Sequence, residues 1–377
     1  MSSPILLGIF IFSIIVQLSY VVYFFFRVFF ISVSKQKIST SPKRKVSVII
    51  CAKNEAENLR NYLPAILSQD YLDDFGNPNF EVIVINDGSE DHTENILRTI
   101  ERKFSHLRHI SISSLTPRQF MGKKFALSKG VKEAKNEWLL GIDADCHPNS
   151  TQWLDRMVQS FYPDNQIVCG YGAYEYQPGF LNAFTRWETL HTFIQYASYA
   201  MAGKPYMGVG RNIAFTKRTF NQAQNNPIWN KLPSGDDDLL VRIVGNKNNV
   251  AINATEEAFT YSKSQPNWLS WLKQKQRHLS TGKYYHPTIK FLLGLYAVSH
   301  AAMWLLFFLL LNESNALLII ALLLLRCIPY WSIWHSAAKK MKEPNLGLWL
   351  PFCDIGWALY NFILSPFIFF KNQLQWK

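Results

Sequence analysis

Residues 4–33, PILLGIFIFSIIVQLSYVVYFFFRVFFISV, carry one charge, Arg27, in a run longer than the roughly 20 residues a helix needs to cross a bilayer. Few folds accept such a run, because main-chain amides in lipid must bond within their own segment, and a helix is therefore expected. A cleaved signal peptide would begin with basic residues, be shorter and end in small residues, and these features are missing. Residues 1–34 are accordingly expected to form a transmembrane anchor. FLLGLYAVSHAAMWLLFFLLL (291–311) and ALLIIALLLLRCIPYWSIW (316–334) predict two further spans joined by NESN. A third apolar stretch, 346–370, contains Pro351, Asp354 and Pro366, which suit a straight lipid-exposed helix poorly and predict a kinked or re-entrant course. The C-terminal membrane region is placed at 291–371.

Between these ends lies a polar block, about 45–285, large enough to bury its own core. Lys35, Lys37, Lys43, Arg44 and Lys45 follow the first span, and Lys273, Lys275, Arg277, Lys283 and Lys290 precede the second. The positive-inside rule then puts the block on the cytoplasmic face of an integral membrane protein, the inner membrane if the cell is bacterial. The net charge of +12 needs no nucleic acid, since anionic headgroups attract basic residues beside spans and no nucleic-acid motif is visible. Five cysteines without paired spacing indicate reduced thiols.

Within the block, short β-branched runs alternate with helical spacing. KVSVIICA (45–52) precedes NEAENLRNYLPAILSQ (54–69), FEVIVIND (80–87) precedes EDHTENILRTIERKF (90–104), and HISIS (109–113) precedes KKFALSKGVKEA (123–134). EWLLGIDAD (137–145) reads as a fourth strand. The fold class is therefore α/β, a mainly parallel sheet covered on both faces, with ligands bound beyond the carboxyl ends of the strands. Those ends read Ala52-Lys53-Asn54-Glu55, Asn86-Asp87-Gly88-Ser89 and Asp143-Ala144-Asp145.

Side chains two apart on an extended segment share a side, so Asp143 and Asp145 are expected to reach one Mg²⁺ or Mn²⁺ together. An isolated Asp-x-Asp is usually a solvated turn, and the strand end is what favours function here. Asp87 can accept the imide N–H of a uracil, or sit in an Asp-Gly turn whose Ser89 or Asp91 caps the next helix. Lys123 would stand near the phosphates or base, unless it is a solvated helix lysine. Asp236, Asp237 and Asp238 repel one another, which raises the proton affinity of at least one and suits a general base. The same run fits an acidic helix start capped by Ser234, and both readings can hold with Asp237 functional. WLSWLKQKQRHLSTGKYY (268–285) is amphipathic, with Trp268, Leu269, Trp271 and Leu272 expected towards lipid. Gln274, Arg277 and His278 are spaced to close over a diphosphate, although lipid contact alone also explains the stretch.

Taken in order, these motifs resemble membrane-bound family 2 glycosyltransferases of the GT-A fold. The resemblance covers Asn54-Glu55, Asp87 to Ser89, the Gly-Lys-x-x-Ala-Leu-x-x-Gly helix from Gly122 to Gly130, Asp143 and Asp145, Asp236-Asp237, and a Gln-x-x-Arg element. It implies a GT-A domain at 45–262 and an interface segment at 263–290. It implies that Ala52, Glu55, Asp87, Lys123, Asp143 and Asp145 bind the nucleotide sugar, with Asp145 chiefly, and Asp143, holding the metal. Asp237 would be the base of an inverting displacement, and Asp236, Gln274, Arg277 and His278 would meet diphosphate or acceptor. His278 stands where the family has Trp, which weighs against a builder of long polymers. The expected function is transfer of one sugar from a nucleotide sugar, UDP-linked, to a lipid or lipid-linked hydroxyl. A processive polysaccharide synthase and a membrane protein that binds nucleotide sugars without turnover are the alternatives. The aromatic-rich 179–215 stretch suits the acceptor side, with His191 structural.

Overall fold

The computed structural model describes residues 4–31, 43–161, 164–233, 235–312, 315–364 and 366. Ser234, Lys35 and Lys37 lie outside them. The N-terminal run forms α1 (Pro4–Tyr23) and a 3₁₀ segment, Phe25–Phe30. The chain then enters the sheet through β1 (Val46–Ala52), whose seven residues are all buried, as a strand covered on both faces requires. Next come α2 (Ala56–Leu67), β2 (Phe80–Asp87), α3 (Thr93–Glu101), β3 (Leu107–Ile112), α4 (Lys123–Glu133) and β4 (Trp138–Gly141). After β4 run β5 (Cys146–Pro148), α5 (Trp153–Gln159), β6 (Ile167–Gly170), β7 (Gly172–Tyr174) and the long α6 (Phe180–Met201). The soluble part closes with β8 (Ile213–Thr216), α7 (Lys217–Gln224), α8 (Asp236–Val244), β9 (Val250–Asn253), β10 (Thr260–Ser262) and α9 (Trp268–Leu279).

Seven strands form one sheet in the order β3-β2-β1-β4-β8-β6-β9. β1 pairs in parallel with β2 and β4, and β2 with β3, while β8 runs antiparallel to both β4 and β6. The alternating strands and helices thus yield the mainly parallel sheet expected, with β8 the reversed strand. A second sheet, β5-β10-β7, stands beside it. Period-two alternation divides β1 between two cores. Val46, Val48, Ile50 and Ala52 pack with α2 and α5, whereas Ile49 and Cys51 face α4, α6 and α8.

Three helices among the described residues are long and apolar enough to cross a membrane: Pro4–Phe30, α10 (Pro287–Leu310) and α11 (Ala316–Lys340). The third C-terminal stretch forms α12 (Leu350–Leu364), whose 15 residues fall short of the roughly 20 a span needs. Asp354 on α12 avoids lipid. It is fully buried among the helices, accepting from His300 at 2.8 Å and from Trp331 at 3.1 Å, and it pairs with Arg326.

Helix α6 joins the two halves. Tyr196 donates to the Gly170 carbonyl in the sheet at 3.2 Å, and Tyr199 stacks on Phe24 of the first span at 4.1 Å. Arg186 pairs with Glu343, between α11 and α12, and Glu188 with Lys275 on α9. Tyr360 of α12 also donates to Glu188 at 3.1 Å. This packing overturns one expectation. Trp271 and Lys275 do not face lipid and headgroups: both are buried, Trp271 against Phe184 and Tyr360. The apolar side of α9 serves the α6–α12 seam, and only Trp268 and Leu269 stay exposed.

Candidate active site

The site forms where β1 and β4 end, opposite the start of α8. A pocket here is lined by Cys51, Lys123, Gly210, Asp236, Asp237 and surrounding apolar residues of the sheet, α4 and α8. Two lysines open α4 and do different work. Lys124 is buried and donates to the carbonyls of Trp229 at 2.7 Å and Leu232 at 2.9 Å, tying the loop before α8 to α4. Burial lowers its pKa to about 8, against the opposing pull of Asp236. Lys123 points into the pocket, pairing with Asp143 and, at 3.7 Å, with Asp236. Burial would strip its proton, but the two carboxylates hold its pKa well above the usual value. Gly122 makes this entry possible. Its φ is +63°, and a Cβ there would lie 2.3 Å from the Pro233 carbonyl oxygen.

α8 is capped by Gly235 without a side-chain bond, and the three aspartates occupy its first turn, where the helix dipole favours anions. They diverge in role. Asp238 turns inward, accepting from Thr281 at 2.6 Å and Tyr285 at 3.1 Å, and so fastens the segment after α9. Asp237 accepts from the Gly210 amide at 2.5 Å and the Asp238 amide at 2.9 Å. Burial, and then repulsion from Asp236, push its pKa up to about 6.

Asp143 and Asp145 come together for a reason other than the one expected. β4 stops at Gly141, and the two residues sit in a turn closed by the Cys146 amide on the Asp143 carbonyl at 3.0 Å. Their carboxylate oxygens and the Cys146 sulfur lie within 4.8 Å of one another. Hard carboxylate oxygens in so small a set fit Mg²⁺ or Mn²⁺ whose remaining positions are filled from a substrate. Burial works against ionisation of Asp143, but Lys123, then Arg211 and Arg277, hold its pKa below the usual range.

Asp87 is fully buried at the end of β2 and is gripped by Arg118 through two bonds of 2.9 and 2.7 Å. Both of its oxygens are thus engaged from the protein side. Its charge still meets those of Lys123, Asp143 and Asp236 at Cys51, whose thiol burial pushes up strongly. Ala52 points its methyl into the opposite core, so only its main chain faces this end of the sheet. Glu55 is buried beside Asn58, which donates to it at 2.5 Å, while its amide donates to Thr93. Asp91 accepts from the Thr93 amide at 3.0 Å and the Ala56 amide at 3.2 Å, joining the two loops.

On α9, the Gln274 side-chain oxygen is buried without a partner among the described residues. Arg277 bears electrostatically on Asp143, and His278 is exposed beside it. Sequence reasoning passed over three features of the site: Arg118, the Gly210 amide and Arg211. The signal available for the last two was GVGRN, a glycine-flanked arginine ahead of a strand. His191 is fully buried against Trp357 and Trp334, away from this pocket.

Carboxylates beyond the strand ends of a mixed sheet and at the start of α8, in a chain with membrane-length helices, define a class of membrane-associated α/β proteins. Glycosyl transferase family group 2 matches residues 138–338, and glycosyl transferase family 2 matches residues 47–222. The chain belongs to the family 2 glycosyltransferases. Glycosyltransferase AglE of Haloferax volcanii is 34% identical over 121 residues, 32% of this chain and 36% of that protein. The cholesterol galactosyltransferase of Borreliella burgdorferi is 28% identical over 194 residues, 50% of this chain and 48% of that protein. The matches thus span between a third and a half of these relatives' length. The mannosyltransferase PcManGT of Pyrobaculum calidifontis, solved with GDP-Man and Mn²⁺, has a TM-score of 0.55 at 16% identity, covering 96% of this chain and 99% of that one. That likeness establishes the GT-A fold.

Proposed function

We propose that the protein transfers one sugar from a nucleotide sugar, UDP-linked, to a hydroxyl on a lipid or lipid-linked acceptor, with inversion, at the cytoplasmic face of a membrane. The observation that carries this reading is the position of Asp237: a carboxylate with pKa about 6, held by the Gly210 amide, lining one pocket with Lys123, which in turn pairs with Asp143. A base of that strength is largely ionised at neutral pH and still accepts a proton readily. Asp237 takes the proton of the acceptor hydroxyl as its oxygen attacks the anomeric carbon, and the bond from that carbon to the diphosphate breaks with its electron pair leaving on phosphate. Asp145, with Asp143, would hold Mg²⁺ or Mn²⁺, which supplies positive charge for the departing diphosphate. Lys123 positions Asp143 and Asp236, and Gln274 and Arg277 close over the diphosphate from α9. The exposed His278 and Trp268 lie towards the acceptor.

Three apolar helices and the name of the Borreliella relative support a lipid acceptor. Basic residues beside the spans support the cytoplasmic orientation. The test supplies detergent-solubilised protein with a panel of nucleotide sugars and a lipid extract, with and without a chelator. Mass spectrometry should find one glycolipid carrying a single added sugar, lost on chelation and regained with Mn²⁺ or Mg²⁺. A ladder of long chains would replace this reading with a processive synthase, and nucleotide binding without any product would leave a binding protein.

A further inference from the structure

Arg211 takes no part in the family motifs, yet the fold builds a support around it. Its Nη1 donates to the Ala173 carbonyl at 3.1 Å and to the Ser262 hydroxyl at 3.2 Å, and its guanidinium lies over the Tyr174 ring at 4.1 Å. Nε and Nη2 have no hydrogen-bond partner among the described residues. The residues on either side are fixed. Before it, the Gly210 amide holds Asp237, and a Cβ at position 210 would sit 3.2 Å from the Asp237 carboxylate and 3.4 Å from Lys123 Nζ. After it, the buried Asn212 donates to the Tyr171 and Ala258 carbonyls and accepts from Trp153. One segment therefore holds the base and carries a half-satisfied guanidinium whose charge interacts with those of Asp145 and Asp143, the latter also influenced by Arg277.

We propose that Arg211 is a further catalytic residue, whose free edge binds the sugar-linked phosphate of the donor and stabilises it as it departs. The assignment rests on the reading of the site as a nucleotide-sugar transferase. The charges of the pocket select this ligand. Lys123, Asp236 and Asp237 line the pocket, Asp143 pairs with Lys123, and Arg211 and Arg277 act electrostatically on Asp143 beside Asp145, so a divalent ion turns the balance positive and one diphosphate reverses it again. A second anion on the acceptor would then be repelled, whereas a guanidinium with two open donors suits a phosphate. In an inverting transfer the departing phosphate lies across the sugar from Asp237, and Arg211 directly follows the residue whose amide holds that base.

The full-length protein in detergent, with Mn²⁺ present, is titrated calorimetrically with UDP, UMP, GDP and GMP, as wild type, Arg211→Gln and Arg211→Lys. The expected result is a loss of affinity for the diphosphate of about 10- to 100-fold in Arg211→Gln, with the matching monophosphate within about twofold of wild type. Arg211→Lys, which keeps the charge without the fork, should lose severalfold, and it carries the test alone if Arg211→Gln does not fold. Unchanged diphosphate affinity, or equal losses for diphosphate and monophosphate, overturns the assignment while leaving the transferase reading in place. A wild type that binds no nucleoside diphosphate overturns both.

Discussion

Two clusters of buried charge, one among the membrane-length helices and one at the sheet, are built in opposite ways. Between the membrane helices, Asp354 is closed on every side: His300 and Trp331 donate to it, Arg326 pairs with it, and Arg326 also donates to Gln17 of α1 at 2.9 Å. None of the Asp354, His300 and Arg326 side chains reaches solvent. At the sheet, Lys123 must share itself between Asp143 and Asp236, and Arg211 keeps two donor nitrogens, Nε and Nη2, unspent among the described residues. Asp237 holds a raised proton affinity beside a buried like charge. The Asp354 carboxylate is fully partnered and holds helices together, even though Arg326 Nε and His300 Nδ1 beside it are buried without a partner among the described residues, whereas the charges around Asp237 stay open to a ligand.

The sharpest way to break this contrast is Asp237→Asn. Transfer should fall by about 10³-fold, within the span expected for a lost general base, while UDP binding with Mn²⁺ stays within a few-fold. A near-normal rate in a radiolabelled transfer assay would make the pocket as structural as the membrane cluster. Asp354→Ala should do the reverse, costing about 3–5 kcal/mol of stability by stranding Arg326, read as an earlier thermal melt in detergent. The paired change Asp354→Leu with Arg326→Met should recover most of that melting temperature if the cluster only fastens helices. Failure to recover, with transfer lost, would mean that this ion pair does more.

Smaller effects sharpen the comparison. Gly122→Ala forces a β-carbon against Pro233 at a positive φ, and should cost about 1–3 kcal/mol and displace Lys123. Transfer should then fall about tenfold, more than the melt alone would account for. The last test uses pH. Asp237 titrates near 6 in the fold and near the ordinary carboxylate value when unfolded, so its ionised form destabilises the native state. Its contribution to stability is therefore fully present at acid pH and lost as pH rises through about 6. The rate should drop about tenfold per unit below that value, and the stability advantage of Asp237→Asn over wild type should be full at pH 7.5, about half as large at pH 5 and gone by about pH 4. A stabilised yet inactive variant would be the signature of a site that trades stability for function.

Much of the scaffold was legible in the sequence because its signals are local. β-Branched runs followed by helical spacing specified strand and helix in turn, and the polar residues closing β1 and β2, with those just past β4, lie at the ends where the pocket opens. Three apolar runs announced the membrane-length helices. Less local features were misread. Asp143 and Asp145 are joined by a turn after a strand that stops early, and strand alternation has no part in it. Trp271 and Lys275 look like interface residues on a helical wheel, but α6 and α12 cover them, with Glu188 supplying the charge that lets Lys275 be buried. Asp87 reads as an acceptor from sequence, but no local signal announces that Arg118, 31 residues on, donates to both of its oxygens.

By itself, the sequence determined the order of strands and helices as far as β4, the membrane-length segments and the types of residue available for chemistry. Those follow from hydrophobic period and side-chain chemistry, which act between near neighbours. Only the tertiary structure decided which charges are paired off and which remain available, because a polar group's partner can come from anywhere in the chain. Asp238 is spent on Thr281 and Tyr285, while Asp237, one residue before it, is left facing the pocket.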